Sequence, residues 1–242
     1  MEFGRTNKKV ASRSIAAPAV NRLRLRWGKT NSQRLLSHLD NMKVIENAIR
    51  SSRIPVTYSQ GSHPRMKLSF GPPLPMGFTS ECEFVDISIE QICTAPMVDS
   101  IRKAFSEGFD LLESKPVFAR TTSLSESINR VIYTLRLDDN ADLIKLKERT
   151  AGLLEKDKLE ILRKTKAGES TVDIRPAIHE ISIRGNDIQF TLGIGQGGYA
   201  RPTEVAALLF EIDEERTSQL QFHRKDMFRI TDDGRRTAGI EL

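Results

Sequence analysis

Residues 22–27 read RLRLRW, and this short stretch sets the fold class that the rest of the sequence then fits. Leu23, Leu25 and Trp27 alternate with arginines, and a period of two places the three apolar side chains on one face of a β-strand. Apolar residues on one face and charged residues on the other are typical of a strand that packs on a core with one side only. The stretch therefore predicts a half-buried strand with a strongly basic outer face.

The next hundred residues predict alternating helices and strands. Ser37 has the residue type of a helix N-cap, apolar residues follow it at helical spacing as far as Ile49, and Pro55 disfavours helical geometry in the residue before it. The remaining predicted elements are strands at residues 56–58, 84–89 and 109–117, a further short strand within residues 66–70, and a helix that begins at Pro96. The element order β-α-β-β-α-β is typical of ferredoxin-like folds.

The same order of elements recurs in the second part of the chain, without obvious sequence identity between the two parts. The predicted strands there are residues 131–137, 159–162, 177–183, 188–194 and 222–230, and the predicted helices cover residues 143–154 and begin at Thr203. We therefore predict an α+β fold of two tandem ferredoxin-like (βαββαβ) halves packed together. The predicted divisions are a flexible basic arm (1–19), a first half that carries the distinctive motifs (20–119), a linker (120–128), a second half (129–231) and a loose tail (232–242).

Positive charge is concentrated at the start of the chain, whose net charge is +5. Residues 1–34 contain nine basic residues and one acidic residue, whereas the remainder contains 28 basic and 31 acidic residues. Localised basic charge attracts phosphate backbones through the release of counterions. This distribution is consistent with nucleic-acid binding, and equally with a solubilising tail beside the solvated face of one strand.

The composition predicts a soluble cytoplasmic protein that does not enter a membrane. No apolar run reaches the length of about 18 residues that a membrane helix needs, and residues 1–21 lack the apolar core of a secretory signal. Cys82 and Cys93 are the only cysteines in the sequence, and their spacing fits no common zinc motif. We expect two reduced thiols, no metal and no cofactor.

Three blocks of sequence are less generic: SHLD at residues 37–40, PVTYSQGSHPRMKLSF at 55–70 and PLPMGFTSECE at 73–83. In this order they resemble the core of the radical-SAM-linked protein family, an uncharacterised bacterial group whose members occur beside, or fused to, radical SAM enzymes. The resemblance is strong over residues 22–117, weaker as far as about Leu209, and departs from the family pattern at Ser62, where an aromatic residue is usual. It implies a radical SAM enzyme as partner.

The chain itself cannot be the radical enzyme. A [4Fe–4S] cluster is held by closely spaced cysteine thiolates, and two cysteines with ten residues between them do not provide them. The candidate catalytic residues are instead His38, Asp40 and His63, because two imidazoles and a carboxylate could perform acid–base chemistry. The alternative is that Ser37 and Asp40 cap the helix and that His38 is a structural hydrogen-bonding residue.

A second set of residues could bind RNA or another substrate, with arginines on phosphates and Tyr58 or His63 stacked on a base. The set comprises Arg22, Arg24, Arg26, Ser37, His38, Tyr58, Ser59, Gln60, Gly61, His63, Arg65, Lys67, Glu81 and Arg201. Tyr58 could equally pack in the core. The glycine-rich run at residues 193–198 lacks the Lys-Ser/Thr of a P-loop, which favours close backbone approach over phosphate binding.

The resulting prediction is a non-catalytic accessory protein that binds RNA or presents a substrate to a radical SAM enzyme, with tRNA or rRNA modification as the process. The prediction places residues 58–77, rich in glycine and proline, and His38 along one polar groove. Two alternatives stay open. One is an RNA-processing or RNA-modifying enzyme that uses His38, Asp40 and His63, and the other is a protein-interaction subunit without RNA contact.

Overall fold

The computed structural model describes residues 21–117, 123–165, 168–195 and 198–242, and within them the chain is a mixed α+β protein. Nine strands form one mostly antiparallel sheet, two more form a separate hairpin, and six α-helices accompany them in the described residues. The strands are β1 (Asn21–Lys29), β2 (Leu68–Phe70), β3 (Thr79–Ile89), β4 (Phe109–Val117), β5 (Arg130–Arg136), β6 (Glu160–Thr165), β7 (Gly168–Asp173), β8 (Ile178–Arg184), β9 (Asp187–Gly193), β10 (Phe222–Ile230) and β11 (Arg236–Ala238). The helices are α1 (His38–Ser51), α2 (Ala95–Ala104), α3 (Leu124–Ser127), α4 (Leu143–Leu154), α5 (Pro202–Phe210) and α6 (Glu214–Gln219).

The apolar face of β1 is buried, as its alternating sequence predicts. Leu23, Leu25 and Trp27 are all buried in one hydrophobic cluster. Ile45 and Ile49 from α1 and Ile101 from α2 belong to the same cluster, so the two helices cover this face of the sheet. The predicted half-buried strand is therefore confirmed for its apolar face.

The strands follow one spatial order in each part of the molecule. In residues 21–117, the N-terminal part, the order is β4-β1-β3-β2; in residues 123–242, the C-terminal part, it is β10-β5-β9-β8. In each part, helices connect the first strand to the second and the third strand to the fourth. The β6–β7 hairpin is inserted between α4 and β8. Each part thus has its first and third strands in the centre and its second and fourth strands outside them.

One short parallel pairing joins the two parts into a single sheet. Thr79 and Ser80 at the start of β3 pair with His223 and Arg224 on β10. Phe78 and Phe84, which flank this junction, belong to the hydrophobic core of the C-terminal part. The segment immediately before β3 therefore lies against the C-terminal part.

Two predicted strands differ from the observed ones. Residues 56–58 form only isolated bridges, at Val56 and Tyr58, and the second strand of the N-terminal part is β2 at residues 68–70. The predicted strand at residues 159–162 corresponds to β6, which pairs with β7 and not with the main sheet. The prolines between residues 55 and 75 do not donate backbone hydrogen bonds, which limits continuous strand pairing in that segment to the three residues of β2.

The two ends of the chain also bear on the predicted divisions. The predicted arm, residues 1–19, lies outside the described residues, and so do residues 120–122 of the predicted linker. The predicted tail does not hang loose: β11 pairs with β10, and Ile240 is buried. Arg24 lies beneath the tail and donates hydrogen bonds to the backbone carbonyls of Gly239 and Leu242, which holds the tail against the sheet.

No helix among the residues described above is both long and apolar enough to cross a membrane.

Candidate functional site

A cleft of about 660 Å³ lies between the N-terminal and C-terminal parts. One wall is residues 72–78, here called the proline segment, which contributes three prolines, Met76, Gly77 and Phe78 to the lining. The opposite wall comes from β5, the start of α5 and the turn before β10, through residues such as Tyr133, Arg201 and Leu220. Mostly apolar concave surfaces of this size with a few polar groups are typical of small-molecule sites.

Backbone contacts at both ends hold the proline segment in place. Gly71 N donates to Phe84 O at 3.0 Å, and Gly77 N donates to Arg34 O at 2.8 Å. The ring of Phe78 stacks on that of Phe222 with 5.0 Å between centroids. The segment is therefore a fixed wall of the cleft.

Arg224 lies at the base of the cleft and ties its two walls together. This side chain from β10 is 3% exposed and donates to Pro72 O at 3.0 Å, to Pro73 O at 2.7 Å and to the Tyr133 hydroxyl at 3.0 Å. Its Nη1 also donates to Glu83 Oε1 at 3.0 Å. All of its nitrogens are engaged, so Arg224 shapes the cleft and does not offer a free donor to a ligand.

The charge of Arg224 is maintained by its neighbours. Burial alone would lower the pKa of the guanidinium, but the carboxylate of Glu83 and the hydroxyl of Tyr133 outweigh burial and raise that pKa above its ordinary value. Arg224 is therefore a permanent cation paired with Glu83. Removal of either partner would leave a buried charge without compensation.

A cluster of polar groups adjoins the cleft at its lining residues Tyr199 and Arg201. Arg163 forms a bidentate pair with Glu204, at 2.8 Å for both hydrogen bonds, and its guanidinium lies over the Tyr199 ring, 5.1 Å from the centroid. Glu204 also accepts from the backbone N–H of Arg201 at 2.8 Å. The Arg201 side chain is 52% exposed, and its Nε lies 3.7 Å from Glu204 Oε1. Because Arg163 neutralises Glu204, Arg201 supplies an excess positive charge beside the cleft.

His38 lies on a separate, much smaller cavity. This chamber of about 10 Å³ is lined by His38, Asn41, Trp27 and Glu83, among others. Burial lowers the pKa of His38; Glu83 opposes this shift and Arg224 adds to it, so the imidazole is neutral at neutral pH. A space of this size holds no more than one water molecule, which excludes a substrate from it.

Ser37 and Asp40 form the cap of α1. Ser37 Oγ donates to Asp40 Oδ2 at 2.7 Å and accepts from Asp40 N at 3.2 Å. The hydrogen bond from Ser37, and then that from Lys43, lower the pKa of the Asp40 carboxyl. This arrangement matches the capping alternative and leaves Asp40 ionised at neutral pH, hydrogen-bonded within its own helix turn.

The loop of residues 58–66 lies far from His38. Tyr58 pairs with Met66, Ser59 N donates to Arg65 O at 2.8 Å, and Gln60, Gly61 and His63 at its tip are exposed. The stem of this loop adjoins Ile89 at the end of β3, through the bridge from Val56, whereas His38 adjoins Glu83. Six residues of strand separate those positions, or about 20 Å at roughly 3.3 Å per residue.

The predicted single groove is therefore wrong. β2 interrupts residues 58–77 and runs antiparallel to β3, pairing Leu68 with Ile87 and Phe70 with Val85. Residues before β2 consequently lie at one end of β3 and the proline segment lies at the other. The structure does not bring His38, Asp40 and His63 to one place.

The arginines of β1 are also dispersed. Arg24 is fully buried, pairs with Asp86 at 2.7 Å and donates to Gly239 O at 2.9 Å, so the prediction that it contacts RNA is wrong. The sequence pattern could not reveal this, since both partners are distant in the chain. Arg22 lies with Lys67 on a shallow groove that also contains Asp86.

Arg26 and Glu81 lie together on another surface. Arg26 Nε donates to Glu81 O at 2.8 Å, and the Glu81 carboxylate lies 3.8 Å from Nε2 of His223. Of the predicted binding residues, Arg201 alone lines the cleft. It meets there the proline segment, which belongs to the third distinctive block of the sequence.

Sequence reasoning missed most of the residues that form the cleft. Arg224, Tyr133, Tyr199 and Arg163 carry no motif and lie on separate elements. No local signal singles out Arg224, because residues 222–230 (FHRKDMFRI) contain four charged residues, and only the folded chain shows that Arg224 has a buried partner. That partner, Glu83, is the last residue of the third distinctive block.

Burial raises the pKa of both cysteine thiols above the ordinary value. Burial, followed by the charge of Glu83, raises the pKa of the Cys82 thiol well above its ordinary value, so this thiol is unreactive. No group of three or more potential metal-binding side chains is found in the ranges that the structure covers.

Comparison with known proteins gives a family. No curated protein matches the chain. Similar solved structures include the acetolactate synthase small subunit of Thermotoga maritima, with 11% identity over 86% of this chain and 94% of that one and a TM-score of 0.24. The first two RRM domains of a yeast poly(U)-binding protein are similar at 7% identity over 84% of this chain and 98% of that one, with a TM-score of 0.21. An unknown protein from Galdieria sulphuraria is similar at 11% identity, 85% and 98% coverage and a TM-score of 0.25. TM-scores this low establish neither a shared fold nor a shared function. Residues 22–202, well over half of the chain, match the family described as "Uncharacterized protein conserved in bacteria (DUF2344)", and the chain belongs to that family.

Proposed function

We propose that this protein is a non-catalytic accessory subunit that binds single-stranded RNA, and so presents it to a partner enzyme, through the cleft between its two parts. The observation that carries the proposal is the cleft itself: about 660 Å³ of mostly apolar space with a cationic side chain, Arg201, at one end. Unstacked bases bind apolar and aromatic surfaces, and phosphates bind arginines. The cleft offers both.

The architecture supports this proposal. We interpret the repeated strand order, with the fourth, first, third and second strands side by side, as two ferredoxin-like (βαββαβ) halves fused edge to edge. Clefts between packed domains are common binding sites, because neither domain alone has to provide a concave surface. Here the proline segment comes from the N-terminal part and the start of α5 from the C-terminal part, and both line the cleft.

Electrostatics also favours an anionic ligand. Among the described residues, the cleft lining includes Arg201 and Arg224 and no acidic side chain. Behind the lining, Glu83 compensates Arg224, while Glu204 is shared between Arg163 and Arg201. One positive charge is therefore left over at the surface that a ligand would touch, and burial of the cleft floor strengthens its field.

We further propose a radical SAM enzyme as the partner. This rests on the three sequence blocks that resemble the radical-SAM-linked family, the third of which contains most of the proline segment. RNA modification, in tRNA or rRNA, is the process in which an RNA-presenting subunit and a radical enzyme would act together. Affinity purification of the full chain from its native cells, followed by identification of bound proteins and RNA, tests the partnership. A radical SAM enzyme should be recovered, and its absence under gentle conditions would contradict the partnership.

Fluorescence anisotropy with labelled single-stranded RNA tests the cleft. Arg201→Ala should weaken binding about tenfold and lower the slope of log K against log salt by roughly one phosphate contact. Arg65→Ala, which removes an arginine from the exposed loop of residues 58–66, is the matched control and should change affinity less than twofold. Equal losses from the two variants would place the RNA elsewhere, and no binding at low salt would refute RNA binding altogether.

A further inference from the structure

We infer that the cleft accepts one unstacked nucleotide, with its base against Tyr199 and its phosphate at Arg201. This inference rests on the proposed RNA binding and specifies which unit of the RNA enters the protein and in which orientation. The occupant is defined by its chemistry, a flat apolar ring joined to an anion, because Tyr199 offers a ring and Arg201 a cation on neighbouring parts of the cleft lining.

The size of the cleft limits the occupant to a single unit. A volume of about 660 Å³ lies within the range of small-molecule sites, roughly 300–1,000 Å³. A nucleotide fits such a space, whereas a duplex or a stacked run of bases does not. The nucleotide must therefore come from a chain end or be turned out of its neighbours' stack, as single-stranded RNA allows.

Tyr199 provides the stacking surface. Its side chain is 42% exposed, and its ring lines the cleft while the Arg163 guanidinium lies over it at 5.1 Å. Arg163 is itself fixed by its bidentate pair with Glu204 and by a hydrogen bond to Tyr199 O at 2.8 Å. The ring is thus held before a ligand arrives, which reduces the entropy that binding would cost.

The phosphate end is defined by charge and by a free hydroxyl. Arg201 has an exposed guanidinium that only weakly contacts Glu204, as described above. Thr203, two residues later, also lines the cleft, and its hydroxyl has no hydrogen-bond partner among the described residues. An arginine with an adjacent hydroxyl donor is a suitable pair for phosphate oxygens. Arg224 is saturated by protein acceptors, so the phosphate is expected at Arg201 and not at the cleft floor.

Isothermal titration with AMP, CMP, GMP and UMP, their nucleosides and inorganic phosphate tests the inference on the full chain. Each monophosphate should bind at least tenfold more tightly than its nucleoside and than inorganic phosphate. Arg201→Ala should remove the preference for monophosphate over nucleoside. Tyr199→Ala should weaken the binding of both the monophosphates and the nucleosides about tenfold. Arg201→Lys and Tyr199→Phe should retain most of the affinity, which separates loss of contact from loss of folding, and Arg65→Ala should have no effect.

The outcomes separate this inference from the proposed function. RNA binding without any mononucleotide binding at millimolar concentration would overturn the inference and leave RNA binding in place. Mononucleotide binding without RNA binding would support the inference and refute the proposed function. Binding of neither the mononucleotides nor single-stranded RNA would overturn both.

Discussion

Replacement of Arg224 by methionine should destabilise the protein by about 3–5 kcal/mol, because it leaves Glu83 as an unpaired buried carboxylate. Arg224 is 3% exposed and Glu83 5%, so solvent screens the pair very little. Methionine retains the apolar stem but loses the hydrogen bonds to Pro72 O, Pro73 O and Tyr133, which leaves the two carbonyls of the proline segment unpaired as well.

Urea unfolding followed by circular dichroism measures this loss. With a slope of about 2 kcal/mol per M, the midpoint should fall by on the order of 2 M. Combination of Arg224→Met with Glu83→Gln should cost at least 1 kcal/mol less than the sum of the single changes, since neither charge is then left alone. A single-variant loss below about 1 kcal/mol, or additive costs, would refute the conclusion that this pair holds the cleft together.

Three further substitutions test local features. Ser37→Ala should cost about 1 kcal/mol through loss of the α1 cap, whereas Thr94→Ala should cost less than about 0.5 kcal/mol, because Thr94 makes no capping bond; chemical denaturation of both compares them. Gly239→Ala should cost roughly 1–3 kcal/mol in the same assay, since its new Cβ would lie 2.8 Å from Met227 O and overlap the buried Phe84 ring. The control Gly152→Ala, at an open helix position, should instead stabilise the protein by roughly 0.5–1 kcal/mol. The reverse order would contradict a packed C-terminus. Burial lowers the pKa of folded His38 below its unfolded value of 6.5, so the unfolded state binds protons more readily and the free energy of unfolding should decline as pH falls through 6.5. His38→Gln should flatten this decline in a pH series of thermal melts. An unchanged slope would show that His38 does not contribute.

Local periodicity predicted the elements that depend on local sequence. The apolar face of β1 and helix α1 with its Ser37 cap follow from patterns of a few neighbouring residues. The basic face of β1 shows what a local pattern does not determine, namely whether a charged side chain is buried. Whether Arg24 is a surface arginine or a buried one depends on Asp86 and Gly239, which are 62 and 215 residues away in the chain.

The candidate site was harder to predict for the same physical reason. A three-residue strand within the glycine- and proline-rich segment sends the two ends of that segment to opposite ends of β3. The cleft forms only when β3 pairs with β10, which brings Tyr133, Arg201 and Arg224 against the proline segment. No local pattern encodes a pairing between strands separated by more than 130 residues.

Hydrogen exchange of the full chain with and without a single-stranded RNA oligonucleotide tests the central claim most directly, since it reports where the ligand lies without any substitution. RNA should slow exchange in peptides that contain residues 76–78 and in those at the start of α5, and leave the loop of residues 58–66 unchanged. Protection confined to that loop or to the edge strand β4, with none at the cleft, would contradict the assignment of the cleft as the binding site.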